Sequence, residues 1–174
     1  MTNPNMNKPI DFPSGVTLFP SQDQAIDRIL NELKQKCPAQ FVLLAEVSGQ
    51  IISALGERGE INLVALGSLV AGDLAASQEI ARLTDQYQNY QLILREGPKA
   101  NTFISEAGSH LVLFVRVDRE TPLGWARLII REASRQLSEV VLTPPEEVAN
   151  LDLGLDDEKL SAMFSDGLDG IWKR

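Results

Sequence analysis

The chain has 174 residues, 44% of them apolar and only 6% aromatic, which fits one globular domain with an aliphatic core and flanking segments. A net charge of −8 leaves no surplus of lysine and arginine to neutralise phosphates, which argues against a general nucleic-acid partner. The single cysteine, Cys37, excludes an internal disulfide framework and a cysteine zinc site; with no signal-peptide pattern at the N-terminus, the expected location is cytoplasmic.

Residues 1–20 are rich in proline and asparagine with little apolar periodicity, and read as a mobile N-terminal arm. Ser21 and Gln24 form an S-x-x-Q capping pattern. Behind them Ile26, Ile29, Leu30, Leu33 and Cys37 recur at helical spacing, which predicts a helix over residues 22–36, closed by Pro38. Residues 41–47 and 50–55 are β-prone runs, and Ser48-Gly49 between them is a hairpin signal.

Residues 62–83 form the least ordinary stretch, a helical pattern with almost no face suited to water. Its charges are Asp73, Glu79 and Arg82, and it carries Gly67 and Gly72, each costing a helix about 1 kcal/mol relative to alanine. On a helical wheel Leu63, Leu66, Val70, Leu74 and Ala81 share one side, beside a strip of small residues: Gly67, Ser68, Ala71 and Ala75. Such a helix needs cover on more than one side. Either it is the central helix of a monomer, or a second copy of the chain approaches over the small strip. An integral membrane segment is not expected, because Asp73 ends the uncharged run far short of the roughly 20 residues required.

Residues 90–95 read as a half-polar strand suited to a sheet edge. A turn follows at Gly97-Pro98, then a short strand over 101–105, a turn at Gly108 and the strongest strand at 111–117. Thr121-Pro122 opens a last helix bearing Leu123, Ala126, Ile129, Ile130, Ala133, Leu137 and Val140. The expected fold is an α/β (α+β) three-layer sandwich of order α-β-β-α-β-β-β-α. It has a five-stranded, mostly antiparallel sheet, the long central helix on one face and two helices on the other. That assigns residues 21–142 to the domain and 143–174 to an acidic tail, where eight acids face three bases. Within the tail Leu160, Met163, Phe164, Leu168 and Trp172 recur at helical spacing; this segment either docks back on its own domain or binds a partner helix-in-groove.

No catalytic constellation is visible, so no enzyme, cofactor or metal is expected. His110 is the only histidine and reads as structural, Cys37 as a small core residue, and Glu46, Glu57 and Glu60 as solvated charges. Arg58, in the loop before the central helix, reads as a surface residue, with an arginine-finger role on a GTPase the rarer alternative.

As a whole, residues 21–141 resemble the roadblock/dynein light chain domain. The resemblance is carried by FVLLAEVSGQIISALG, by NLVALGSLVAGDLAASQEIARL and by ILREGPKANTFISEAGSHLVLFVRVDRETPLGWARLIIREASRQL. It implies a homodimer in which residues 90–95 pair across a two-fold axis and the central helices pack together. Gly67, Ser68, Ala71, Gly72 and Ala75 would form the helix contact, and Tyr90, Leu92 and Leu94 would lie on the paired edge. It further implies a non-catalytic platform for a small Ras-like GTPase, as in Mgl-type polarity and motility switches, touched by Glu57, Arg58, Glu60, Ser68, Asp73 and Ser77. A scaffold subunit without effect on GTP turnover is the alternative, and a ligand-sensing domain on a profilin-like sandwich a third.

Overall fold

The computed structural model describes residues 8–86 and 91–172. Tyr90 lies outside the described residues, as do the side chains of Leu168 and Trp172.

The helix that opens the domain, α1 (Pro20–Lys36), begins two residues earlier than its periodicity predicts. Pro20 takes the first helical position, where its missing N–H costs nothing. The Ser21/Gln24 cap does not form. Instead the Gln22 side chain accepts from the Phe19 N–H at 3.0 Å, while Ser21 Oγ donates to the Pro145 carbonyl at 2.9 Å. Ahead of α1, the segment expected to be a mobile arm is structured in part. Two short strands, β1 (Ile10–Asp11) and β2 (Thr17–Leu18), close a hairpin whose Phe12, Val16 and Leu18 are buried in the main core.

The sheet consists of β3 (Ala39–Glu46), β4 (Ile51–Gly56), β5 (Leu92–Glu96), β6 (Ala100–Ala107) and β7 (Leu111–Asp118), in the order β4-β3-β7-β6-β5. Every neighbouring pair is antiparallel. The two strands apolar on both faces, β3 and β7, sit side by side in the middle, and β4 and β5 are the edges, as the burial logic of the sequence requires.

Helix α2 (Leu63–Leu83) lies alone on one face, capped by Asn62 Oδ1, which accepts from the Ala65 N–H at 3.1 Å. The other face carries α1 and α3 (Leu123–Leu142) over the large core of Ile26, Leu30, Leu44, Leu113, Ile129 and Leu137. The three layers and their order agree with the expectation.

The tail docks on its own domain. Residues 143–156, followed by α4 (Asp157–Trp172), run over α1 and α3 and bury Val148, Leu153, Leu155 and Leu160. Side chains of the two helices hold its backbone. The Gln136 amide donates to Gly154 O at 2.9 Å and accepts from Gly154 N at 3.0 Å. Arg28 donates to Leu153 O at 2.7 Å, and Glu32 accepts from Leu155 N at 2.8 Å. Gln22 reaches the carbonyls of Val140 and Thr143 where α3 gives way to the tail.

Beneath this strap Glu132 is 5% exposed and accepts from Arg135 at 2.7 Å and Gln136 at 2.8 Å. Burial alone would raise its pKa, but these hydrogen bonds and the nearby positive charges outweigh it and hold the carboxyl below the usual glutamate range. A depressed carboxylate stabilises the fold fully above its unfolded value, near about pH 4.3, and loses that contribution as pH falls through the folded value. Urea unfolding between about pH 7 and pH 3 is therefore expected to show an acid loss of stability that is smaller in Glu132→Gln. Equal pH dependence in the two proteins would contradict the assignment.

Candidate functional site

The candidate site is the outer side of α2 together with the β5 edge and residues 57–60. Helix α2 turns Gly67, Val70, Ala71, Leu74 and Ala81 onto the sheet, against Ala45, Ile104 and Val112. Among the described residues nothing covers its opposite side. Val64 is 72% exposed, Leu69 71%, Ile80 61% and Leu83 77%. Between them Ala65, Ser68, Gly72, Ala75 and Ala76 are also exposed. From Val64 to Ala76 the exposed side carries no charge, and the ion-paired Glu79 and Arg82 interrupt it before Leu83; an uncharged stretch of this kind marks an interaction surface.

The small-residue strip is thus divided, contrary to its reading as one contact. Ser68, Gly72 and Ala75 face outward; Gly67 and Ala71 face the domain's own sheet. The cause is the β3–β4 turn. Gly49, at φ 93°, presses its carbonyl against α2 so closely that a Cβ on Gly67 would lie 2.5 Å from Gly49 O. Gly67 is glycine to let two backbones meet within one chain. Leu83 and Leu69 lie on the far side of the wheel from Leu74, a signal present in the sequence, while Val64 and Ile80 lie on its two flanks.

Among the described residues no strand pairs with the outer edge of β5. Leu92 and Leu94 are half-buried against the large core, while Ile93 packs under α2. Arg95 spans the gap to α2, its guanidinium donating to both carboxylate oxygens of Asp73 at 2.5 and 2.8 Å. These hydrogen bonds, together with the Asp73 charge, raise the Arg95 pKa against a smaller opposing effect of burial. Asp73 therefore ties the helix to the edge strand. Ser77 is half-buried, and Glu57, Arg58 and Glu60 are exposed in the loop that leads into α2. In the tail Leu160 is fully buried, Met163 half-buried and Phe164 50% exposed.

The remaining chemistry is structural. Cys37 is buried, and burial pushes its thiol up to about 12, which removes the thiolate at neutral pH. Glu46 corrects its reading as a solvated charge, being fully buried where β3 ends. Burial would raise its pKa, but hydrogen bonds from Ser14 and Ser48 and the proximity of His110 hold it lower. Among the described residues no cluster of three metal-ligating side chains occurs. Among them α2 is also the one helix long and apolar enough to cross a membrane, though here its inner side is docked on the sheet and Asp73 is ion-paired.

No family model and no curated protein matches the chain. Solved structures do. MglB of Myxococcus xanthus is 34% identical and superposes with a TM-score of 0.61 over 66% of this chain and 93% of its own. The chain belongs to the roadblock/MglB family. The gliding protein MglB of Thermus thermophilus is 26% identical, with a TM-score of 0.65 over 72% of this chain and 95% of that one. A roadblock/LC7 domain from Streptomyces avermitilis, 19% identical, shares the fold with a TM-score of 0.59 over 67% of this chain and 98% of that one. The strap over α1 and α3 is thus attached to a roadblock domain whose α2 side stands open.

Proposed function

We propose that the protein is a cytoplasmic homodimeric platform, without chemistry of its own, that binds and regulates a small Ras-like GTPase. The observation that carries this reading is the uncovered apolar side of α2 in a chain of the roadblock/MglB family. A second copy related by a two-fold axis covers Leu69, Gly72 and Ala76 with their own counterparts, and the two β5 edges pair into a continuous sheet. That arrangement supplies both surfaces the single domain leaves unsatisfied. The GTPase then lies across the paired helices and meets residues 57–60 from both copies, with Ser68, Asp73 and Ser77 beside them.

The exposed loop charges are the natural handles for a switch region, since charged rims set association rate and partner choice. Binding and GTP turnover are measured with the small GTPase encoded nearest to this gene. Wild-type protein is expected to change the turnover rate, and the triple variant Glu57→Ala/Arg58→Ala/Glu60→Ala to bind about tenfold more weakly while remaining dimeric. Tight binding with unchanged turnover would make the protein a scaffold, and absence of binding would remove the reading.

A further inference from the structure

The sheet has a second open edge, on the side away from β5. Strand β4, with the sequence IISALG, has no charge and no proline to guard its edge; the one irregularity, at Ile52 where the register with β3 shifts, lies ahead of Ser53 and leaves the pairing of Ser53–Gly56 regular. The Glu57 N–H donates to Gln40 O at 2.9 Å, and from that pair the alternation of an antiparallel ladder turns Leu55 and Ser53 toward β3 and the backbone of Ala54 outward. Alongside this edge runs α1. Asp27 accepts from Ser53 Oγ at 3.3 Å, and Lys34 lies against Gly56.

One recess borders the strand itself, and a second, formed by α1 and the arm, reaches it through Asp27. The first, of about 370 Å³, lies between Lys34, Gln40, Gly56 and Glu57. The other, of about 160 Å³, has an apolar wall of Ile10, Leu18 and Phe19 facing Asp23 and Asp27. Ile10 is 47% and Phe19 38% exposed, large apolar groups left in water beside two carboxylates. Among the described residues neither acid has an ion-pair partner, and Lys8, which also lines the recess, pairs with neither. Partial burial, and then the charge of Asp27 one turn away, push the Asp23 carboxyl up. A cation placed there would relieve both.

We propose that β4 is a docking edge for an extended basic segment of a partner protein, which adds a strand beside β4 and sets a lysine or arginine against Asp23 and Asp27. Main-chain hydrogen bonds supply the attachment, and the acid pair with its apolar wall reads alternate side chains. Charge decides the occupant. A second copy pairing through the same edge would bring the two acids of each chain near those of the other, which like charges oppose.

The test uses the full-length protein and two acetylated six-residue peptides, one alternating valine and lysine, the other valine and glutamate. Amide chemical shifts and hydrogen exchange are followed in solution. The lysine peptide is expected to shift and protect Ala54 and its neighbours, and the glutamate peptide to bind at least about tenfold more weakly. Asp23→Lys/Asp27→Lys, which reverses the charge at the rim of the recess, is expected to reverse that order. Ala54→Pro removes the outward N–H at a position where an edge strand tolerates proline, and is expected to abolish binding of the lysine peptide. Should Ala54→Pro fail to fold, the charge-reversed protein decides alone. Equal binding of both peptides, shifts confined to α2 or β5, or β4 shifts that grow with protein concentration without peptide would each overturn the proposal. Because β4 and β5 are opposite edges, neither result depends on the dimer or the GTPase.

Discussion

Leu69→Arg is expected to turn the protein into a folded monomer at micromolar concentration, with a thermal midpoint close to that of the isolated wild-type domain. Leu69 is 71% exposed and points away from the sheet, so within one chain the arginine extends into water. Surface substitutions of this kind shift stability by about 0.5 kcal/mol or less. Across a two-fold helix contact the same residue enters twice. Each guanidinium is then desolvated at a cost of several kcal/mol, and the two positive charges approach one another near the axis. Light scattering reads the mass and circular dichroism the fold. A dimer that persists with wild-type affinity would move the interface off α2, whereas a monomer that unfolds would show that the outer side of the helix is held by something within the chain.

The wheel of residues 62–83 correctly separates the stripe that meets the sheet, because Val70, Leu74 and Ala81 are large enough or regular enough to reveal it. Size alone does not say which side a small residue serves. Gly67 and Ala71 border that stripe and are claimed by the β3–β4 turn, an approach between segments some twenty residues apart that no local pattern reports. The strand order, by contrast, was legible. Runs apolar on both faces at Phe41–Ala45 and Leu111–Val115 have nowhere to go but the centre of the sheet.

The N-terminal arm, the start of α1 and Glu46 misled for one physical reason. Polar composition marks residues 1–20 as solvated, yet Phe12, Val16 and Leu18 reach the core once a tight turn at Gly15 brings them together. Ser21 and Gln24 look like a capping pair, but Ser21 donates to the Pro145 carbonyl, and Gln22 caps Phe19 while donating to carbonyls at the end of α3, more than a hundred positions away. Glu46 looks like a hairpin charge, yet it is fully buried where Ser14 of the arm and His110 approach it. In each case the deciding partner is distant in sequence, so the local reading was sound chemistry applied to the wrong neighbours. The candidate site was legible as a helix that needs a second cover; which residues face that cover required the coordinates.

Gly67→Leu is expected to be strongly destabilising. A Cβ at position 67 would stand 2.5 Å from the Gly49 carbonyl oxygen and 3.3 Å from Ile51 Cγ1, and the first of these is backbone. The turn cannot retreat easily. Gly49 is held at φ 93°, its N–H donates to Glu46 O, and its own α-carbon faces Ser68 so closely that a Cβ there would lie 2.7 Å from Ser68 Cα. Relief requires α2 to lift from the sheet. It has little to hold it, because the cluster beneath it is small, with Val70, Ala71 and Leu74 over Ala45, Ile104 and Val112. Overpacking of this kind costs about 1–3 kcal/mol, and a leucine driven against backbone belongs at or above the upper end. Two alanine variants separate sterics from helix propensity. Replacing either glycine should add about 1 kcal/mol of helix stability. Gly72 has open space around it, so Gly72→Ala is expected to raise the urea midpoint of the monomeric Leu69→Arg background; Gly67→Ala is expected to lower it. If Gly67→Leu unfolds at the wild-type midpoint in that background, the β3–β4 turn is not seated on α2, and the inward assignment of Gly67 and Ala71 falls with it.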